Sequence, residues 1–269
     1  MNSAENRIWF HENAGQIETP PCAAGLAIGF SERSPDKLTD NEDAAGLFVV
    51  SPECVVLAVA DGMGGTHCGD RASQTVITAI GEKILNVDQP ENIRGAILDA
   101  IESSNEQILG WGIGAGSTLA VAVFSAGTMR AFHVGDAAVL LCSNRGTIKY
   151  STVAHGPVAM AVEIGVMDES EAMHHVDRNL ISNCIGSREM RIEIGPSLVM
   201  SRNDTLMVGS DGLFDNLMMQ EIVELIRARD LPKRAGQLLQ AARNRMQAID
   251  TTHPTKPDDL TVLMFRQRK

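Results

Sequence analysis

Apolar residues follow one another without interruption over residues 55–60, and the run ends abruptly in Asp61 and a cluster of glycines. A short, β-branched run enclosed by turn residues predicts a buried strand. This strand would carry the carboxylate of Asp61 to its end, and the glycines after it let the backbone approach an ion or a phosphate because they lack a Cβ atom. The stretch therefore predicts a metal or phosphate site, with an ordinary strand-to-turn exit as the competing interpretation.

A second apolar strand, residues 46–50, comes just before the first one and follows the acidic residues 40–43. Only Ser-Pro-Glu joins the two strands. A connection this short favours an antiparallel hairpin, in which the start of one strand lies beside the end of the other. We therefore expect Asp43 to lie close to Asp61, although a solvated turn is the alternative interpretation of the acidic residues.

Acids stand at the edges of other apolar strands as well. Asp211 follows the run at residues 205–209, and Asp258 comes shortly before the run at residues 260–265. Asp136 stands where two apolar runs meet, and both a turn acid and a metal ligand are open interpretations of it. Because the same strand ending recurs, these acids together predict a common acidic site, which one strand ending alone does not.

Helical spacing of apolar residues predicts four helices between and after these strands. They are expected at residues 70–86, 93–109, 220–229 and 232–248. Short connections predict one antiparallel meander from the strands at residues 118–124, 128–134, 137–141 and 147–150. We expect residues 1–22 to be an extension with at most one edge strand, and residues 23–269 to be a single domain.

Composition excludes several classes of protein. The 269 residues are 44% hydrophobic, which is ample for a core, and the net charge of −11 argues against a general nucleic-acid binder. The five cysteines have no regular spacing, so a disulfide framework is not expected. No apolar stretch reaches the ~18 residues that a membrane span needs, and the N-terminus does not resemble a signal peptide. We expect a cytoplasmic protein with neither nucleic acid nor membrane as partner.

Carboxylates that come close together repel one another unless cations or protons neutralise them. Four acids stand at strand edges, namely Asp43, Asp61, Asp211 and Asp258. Mg²⁺ and Mn²⁺ prefer such oxygen ligands, and two ions roughly 3.5–4 Å apart can activate a bridging water as a nucleophile. This chemistry suits the hydrolysis of phosphate esters.

The order of the motifs resembles that of the PPM family, the metal-dependent serine/threonine protein phosphatases of the 2C type, in its bacterial form. The matching stretches are Asn41-Glu42-Asp43, Asp61-Gly62-Met63-Gly64-Gly65, Gly116-Ser117-Thr118, Val134-Gly135-Asp136, Ser210-Asp211-Gly212-Leu213 and Asp258-Asp259-Leu260-Thr261. Each stretch is short, but together they keep the family order over about residues 24–266.

The resemblance implies a four-layer α-β-β-α sandwich, in which helices flank two antiparallel sheets, with Mn²⁺ or Mg²⁺ ions at one end. Asp61 would bridge two ions, and the Gly62 carbonyl would bind the first. Asp211 and Asp258 would bind the second ion. Asp43 would complete the site, and Glu42 would orient a metal-bound water. Asp136 matches the acid that can hold a third ion, and whether a third ion binds here stays open.

The chain departs from the family pattern where the substrate phosphate is usually clamped. An arginine is expected shortly before the Asn-Glu-Asp stretch, but Leu38 stands near that place, with Lys37 beside it and Arg33 further back. A lysine offers a point charge without the bidentate fork of arginine. We take Arg33 and Lys37 as the candidate phosphate-binding residues. The resemblance also implies a mobile flap at about residues 151–179.

Two other departures bear on activity. The usual Gly-Asp-Ser-Arg reads Gly135-Asp136-Ala137-Ala138, and the usual Asp-Asn reads Asp258-Asp259, which adds a negative charge. The favoured hypothesis is a phosphatase that attacks phosphoserine or phosphothreonine monoesters with a metal-bridging water, with a phosphorylated protein as substrate and an opposing Ser/Thr kinase. The alternatives are a regulatory or phosphoprotein-binding module of the same fold with weak or no turnover, and acids that are merely solvated turns.

Overall fold

Two antiparallel β-sheets pack face to face in the computed structural model, which describes residues 6–63, 68–249 and 255–268. The first sheet contains β1 (Arg7–Phe10), β3 (Asp43–Ser51), β4 (Cys54–Met63), β5 (Gly116–Ser117), β6 (Leu119–Ser125), β7 (Thr128–Val134), β10 (Glu193–Ile194) and β11 (Leu198–Val199). The second sheet contains β2 (Gly25–Glu32), β8 (Ala138–Cys142), β9 (Ile148–Ser151), β12 (Thr205–Gly209) and β13 (Leu260–Gln267).

Helices cover the outer face of each sheet. The helices are α1 (Gly69–Leu85), α2 (Ile93–Gly110), α3 (Pro157–Glu163), α4 (Glu169–His174), α5 (Asp211–Phe214), α6 (Met219–Ile226) and α7 (Leu231–Met246). One core forms where α1 and α2 meet the first sheet, a second lies between the sheets, and a third forms where α6 and α7 meet the second sheet. The expected four-layer α-β-β-α sandwich is confirmed.

Strand β4 shows why the apolar run near residue 60 is unbroken. Val56, Ala58 and Ala60 face the helices, whereas the alternate residues face the second sheet, and all of these residues are buried. Side chains alternate between the two faces of a strand, so a strand that is covered on both faces needs apolar residues at every position. The helical stripe on α1 is confirmed too, because Val76 and Ile80 are fully buried against this sheet.

The predicted hairpin is also confirmed. Strands β3 and β4 pair antiparallel, and their register sets Asp43 directly opposite Asp61. At the outer edge of the sheet, β1 pairs with β3, which places Trp9 in the core at 2% exposure.

The predicted four-strand meander is wrong. Strands β6 and β7 form a hairpin in the first sheet, but β8 and β9 form theirs in the second. The chain crosses between the sheets at Gly135 and Asp136. Short loops dictate only that successive strands run in opposite directions, and both sheets are buried on both faces, so the apolar pattern does not distinguish them.

The region expected to be a flap contains two short helices, α3 and α4, after β9. The apolar run at residues 180–185 makes only one bridge, from Ile185 to Ser117. Gly64 and Gly65 of the sequence motif lie outside the described residues. None of the helices in the described part of the chain combines the length and apolar character needed to cross a membrane.

The crossing depends on a glycine, which can be tested by substitution. Gly135 has φ +95°, and a Cβ atom there would lie 2.7 Å from the side chain of Thr118. We expect Gly135→Ala to lower the free energy of unfolding by about 3 kcal/mol or more, since it adds a clash to the backbone strain. Gly127 is the matched control: its φ is +81° but nothing lies within 4 Å, so Gly127→Ala should cost only about 1 kcal/mol. Equal losses in urea denaturation of the two variants would contradict this role.

Candidate functional site

The first sheet contributes two acids to one end of the sandwich. Asp43 begins β3 and Asp61 lies near the end of β4, so the antiparallel register brings them together. Asp43 is 2% exposed, and its Oδ2 accepts a hydrogen bond of 2.7 Å from the Ser210 hydroxyl. Because Ser210 directly follows β12 of the second sheet, this bond joins the two sheets at the site.

The second sheet contributes acids to the same end. Gly209, at the end of β12, lies opposite Ala138 at the start of β8 and Val262 near the start of β13. The acids just beyond these positions are therefore neighbours: Asp211 follows β12, Asp136 precedes β8 and Asp258 precedes β13. The five acids that the sequence placed at strand edges, Asp43, Asp61, Asp136, Asp211 and Asp258, therefore converge, and, besides burial, the charges of the other four raise the pKa of Asp61.

The titration of these acids reflects their crowding. Burial, and then the nearby carboxylates, raise the pKa values of Asp43 and Asp61 well above the usual range. Burial and the charge of Asp211 raise the pKa of Asp136 to about 8 and that of Asp258 to about 7. The protein by itself thus disfavours the simultaneous ionisation of these groups, which a bound divalent cation would relieve.

Three carboxylate oxygens at this site are buried and have no hydrogen-bond partner among the described residues. They are Oδ1 of Asp43, Oδ1 of Asp136 and Oδ1 of Asp211. Buried polar atoms are nearly always paired in proteins, so unpaired acceptors in one cluster indicate a ligand. The all-oxygen donor set is the one that Mg²⁺ and Mn²⁺ prefer, and the residues therefore fit such ions.

The backbone at the end of β4 is held tightly. The Asp61 carbonyl accepts bonds from the Thr118 N–H (2.8 Å) and the Ser117 hydroxyl (3.0 Å). A Cβ atom on Gly62 would lie 1.9 Å from the Gly69 carbonyl oxygen, so only glycine fits there. The glycine after the acid is needed for the close approach of α1 to this turn.

A lysine that the sequence reasoning missed lies among the acids. The Lys256 ammonium is 2.5 Å from Oδ2 of Asp211, 2.5 Å from Oδ2 of Asp215 and 3.5 Å from Oδ2 of Asp258. Burial lowers the pKa of Lys256, but the three carboxylates outweigh it and the net change is upward. Asp215 could have been found, because it follows Asp211 at the four-residue spacing of one helix face.

The second acid of the Asp258-Asp259 pair belongs to a different cluster. Asp259 is 3% exposed and accepts bonds from the backbone N–H groups of Ser34 and Glu42, each at 2.7 Å. The Lys37 ammonium lies 2.5 Å from Oδ2 of Asp259 and 2.7 Å from Oε2 of Glu42. The extra negative charge that the sequence suggested is therefore paired.

The two candidate phosphate-binding residues differ in position. Lys37 is held beside Glu42, whose side chain is 29% exposed at the rim of the acidic cluster. Burial lowers the pKa of Lys37, but its bonds to Asp259 and Glu42 raise it overall. Among the described residues, Arg33 makes one weak bond of 3.4 Å to the Thr39 carbonyl and no contact with the acids.

A second convergence of possible metal ligands lies beside the site. One ligand atom each from His133, His155 and Glu193 lies within 4.8 Å of the others. However, Nδ1 of His155 accepts the Gly135 N–H at 3.0 Å, so its Nε2 carries the proton that points to Glu193. Nε2 of His133 likewise faces the Val153 carbonyl and must donate. With those protons in place neither Nε2 can bind a metal, although Nδ1 of His133, which is buried and has no hydrogen-bond partner among the described residues, keeps its lone pair. The contacts of His155 tie it to the turn that carries Asp136.

Comparison with known proteins places this arrangement in a family. Residues 36–248 match the family profile described as Protein phosphatase 2C. The chain belongs to the protein phosphatase 2C family. A relative from Streptococcus pyogenes serotype M6, described as 2C-type, is 30% identical over 204 residues, which are 72% of this chain and 81% of the relative. The serine/threonine phosphatase Stp of Listeria welshimeri is 26% identical over 215 residues, covering 76% of this phosphatase and 84% of that protein.

Solved structures share the fold. The serine/threonine phosphatase of S. agalactiae superimposes with a TM-score of 0.77 at 24% identity, covering 89% of this chain and 98% of that one. The catalytic domain of PstP, solved in complex with two manganese ions, gives a TM-score of 0.72 at 23% identity, covering 90% and 98%. The predictions of the family, the sandwich and a serine/threonine protein phosphatase are confirmed.

The buried partners of Asp259 predict a large effect of its removal. Asp259→Ala leaves two backbone N–H groups without their acceptor and removes one of the two carboxylates that pair with the Lys37 ammonium, the other being that of Glu42. We expect the free energy of unfolding of the metal-free phosphatase to fall by about 3 kcal/mol or more. The control is Glu224→Ala, which breaks the largely exposed pair with Arg227 and should cost under about 0.5 kcal/mol. Urea denaturation measures both, and a small loss for Asp259→Ala would refute the assignment.

Proposed function

We propose that Asp43, Asp61, Asp211 and Asp258 bind divalent cations, Mn²⁺ or Mg²⁺, and that this phosphatase needs them to hydrolyse phosphoserine and phosphothreonine in proteins. The observation that carries the proposal is the convergence of these acids from separate stretches of the chain at one end of the sandwich. The buried, unpartnered oxygens support it. When bound, such ions lower the pKa of water and offset the negative charge of phosphoryl oxygens.

The residues around the ligands would fix their geometry. The Ser210 hydroxyl donates to Oδ2 of Asp43, and Oδ1, which is buried and has no partner among the described residues, would be the ligand atom. The bonds to the Asp61 carbonyl hold the turn, and we assign the Gly62 carbonyl as a further ligand. Metal-binding side chains that are held by surrounding hydrogen bonds keep their orientation from one turnover to the next. Asp136 is the candidate for a third ion.

Glu42 and Lys37 would act on the substrate side. One oxygen of Glu42, Oε2, accepts from Lys37, and the backbone N–H of Glu42 is held by Asp259. We assign Glu42 to accept a hydrogen bond from the attacking water and so orient it. The Lys37 side chain is 21% exposed, and its ammonium would attract the substrate phosphate.

The substrate would be a phosphorylated protein, which implies a Ser/Thr kinase that adds the group. The relatives named as serine/threonine phosphatases support this substrate class. We also propose a cytoplasmic location. Cys54, Cys68, Cys142 and Cys184 support it, since they are free thiols in the described part of the chain, as is usual in a reducing compartment.

Neutral substitutions of two acids test the site. Asp61→Asn and Asp211→Asn should each lower the Mn²⁺-dependent turnover of a phosphothreonine peptide by at least about 100-fold, because each removes the charge of a proposed ligand. Both should leave the far-ultraviolet circular dichroism spectrum unchanged. Asp99→Asn on the exposed face of α2 is the control and should retain wild-type turnover.

Two outcomes would contradict the proposal. Wild-type turnover in Asp61→Asn or Asp211→Asn would exclude that residue from the site. A phosphopeptide that binds in calorimetry but stays intact with Mn²⁺ present would instead favour the second candidate, a phosphoprotein-binding module, which the changed phosphate clamp suggests.

The phosphate-binding residue can be tested separately. Lys37→Ala should raise KM for the phosphopeptide about tenfold or more, with a smaller change in kcat, because a charge-assisted contact to the phosphate is lost. Lys37→Arg keeps the charge and should recover most of the affinity. Arg33→Ala should behave like the wild type, and a larger KM effect at Arg33 than at Lys37 would reverse the assignment.

A further inference from the structure

The acids of the site divide into two halves that differ in their neighbours. The inner half, Asp43, Asp61 and Asp136, makes no ion pair with a lysine or arginine within the described ranges. The outer half consists of Asp211, Asp215 and Asp258, which together surround the Lys256 ammonium. One half therefore contains a cation of its own and the other does not.

The position of Lys256 is built into the fold. Its backbone N–H donates to Oδ1 of Asn216 at 3.1 Å, and its carbonyl accepts from Nδ2 of the same residue at 2.8 Å. Asn216 is fully buried, and the preceding carbonyl, of Thr255, accepts from the Arg178 guanidinium at 3.0 Å. Pro257 further restricts Lys256 to an extended backbone.

The Lys256 ammonium lies beside carboxylate oxygens that a divalent ion on this side of the site would also need. Oδ2 of Asp211 faces Lys256, whereas its Oδ1 is buried and has no partner among the described residues. One oxygen of Asp211 thus pairs with Lys256, and the other is one of the unpaired oxygens of the site, together with those of Asp43 and Asp136. Two cations cannot both hold the outer carboxylates at full strength, because they repel each other at this range.

We propose that Lys256 is a resident cation of the site, which holds Asp211, Asp215 and Asp258 until a divalent ion displaces its ammonium. This inference rests on the proposed metal-dependent function and deepens it. It makes the two halves unequal: the inner half binds its ion readily, and the outer half binds more weakly because the lysine must leave. The chain would then reach full metal occupancy only at a higher Mn²⁺ concentration, and Lys256 would set that concentration.

The test is a calorimetric titration of Mn²⁺ into metal-free wild type, Lys256→Met and Lys149→Met. Lys149 is the matched control, since its ammonium lies 2.5 Å from the buried Asp204, which directly precedes β12 at the end of that strand away from the site. We expect Lys256→Met to tighten the weakest Mn²⁺ dissociation constant by at least about tenfold, because the competing charge is gone. Lys256→Arg and Lys149→Met should keep the wild-type constants.

Thermal unfolding gives a second readout that is independent of activity. In EDTA, Lys256→Met should melt below the wild type, because three crowded carboxylates lose their cation. Saturating Mn²⁺ should raise its melting temperature by more than it raises that of the wild type. Lys149→Met should melt lower too, but with the same Mn²⁺-induced increase as the wild type.

The outcomes separate the inference from the proposed function. Unchanged or weaker Mn²⁺ binding in Lys256→Met, with normal binding by the wild type, overturns the role of Lys256 and leaves the metal site intact. Absence of Mn²⁺ binding in every variant removes the metal-dependent function and this inference with it. If Lys256→Met is unfolded in EDTA, refolding by Mn²⁺ below the weakest wild-type dissociation constant supports the inference, and failure to refold at any concentration overturns it.

Discussion

The enforced closeness of several carboxylates at one end of a β-sandwich is the constraint on which this structure depends. Burial and mutual repulsion raise the pKa values of Asp43, Asp61, Asp136 and Asp258. Ionisation of all these groups together is therefore unfavourable in the protein alone. A fold normally avoids such clustering. Here the surrounding sheets hold the acids together, and a positive charge has to be supplied by a lysine or by an ion.

The sheets can hold the acids because their ends are fixed by register and by close contacts. The β3–β4 pairing sets Asp43 against Asp61, and the Ser210 hydroxyl bonds Asp43 from the other sheet. Gly62 allows α1 to approach, and Gly135 allows the chain to pass from one sheet to the other beside the site. The apolar strands behind these turns are buried on both faces, so the site lies at the end of the core.

Two lysines each neutralise part of the negative charge of the acids at this end of the sandwich. The consecutive acids Asp258 and Asp259 face different lysines, Lys256 at the acid cluster and Lys37 at the rim. The Lys37 side chain is 21% exposed beside Glu42, whereas the Lys256 ammonium lies among three carboxylates of the acid cluster.

The sequence by itself determined the family, the strand-edge acids, the main helices and the β3–β4 hairpin, because these follow from local apolar patterning and from motifs in a recognisable order. It failed at the meander, since β7 and β8 carry the same doubly buried pattern although they lie in different sheets. It also failed to find Lys256 and misjudged Asp259, whose partners lie far away along the chain. Only the tertiary structure decided these points, because ion pairing depends on distances in space between residues that sequence spacing does not constrain.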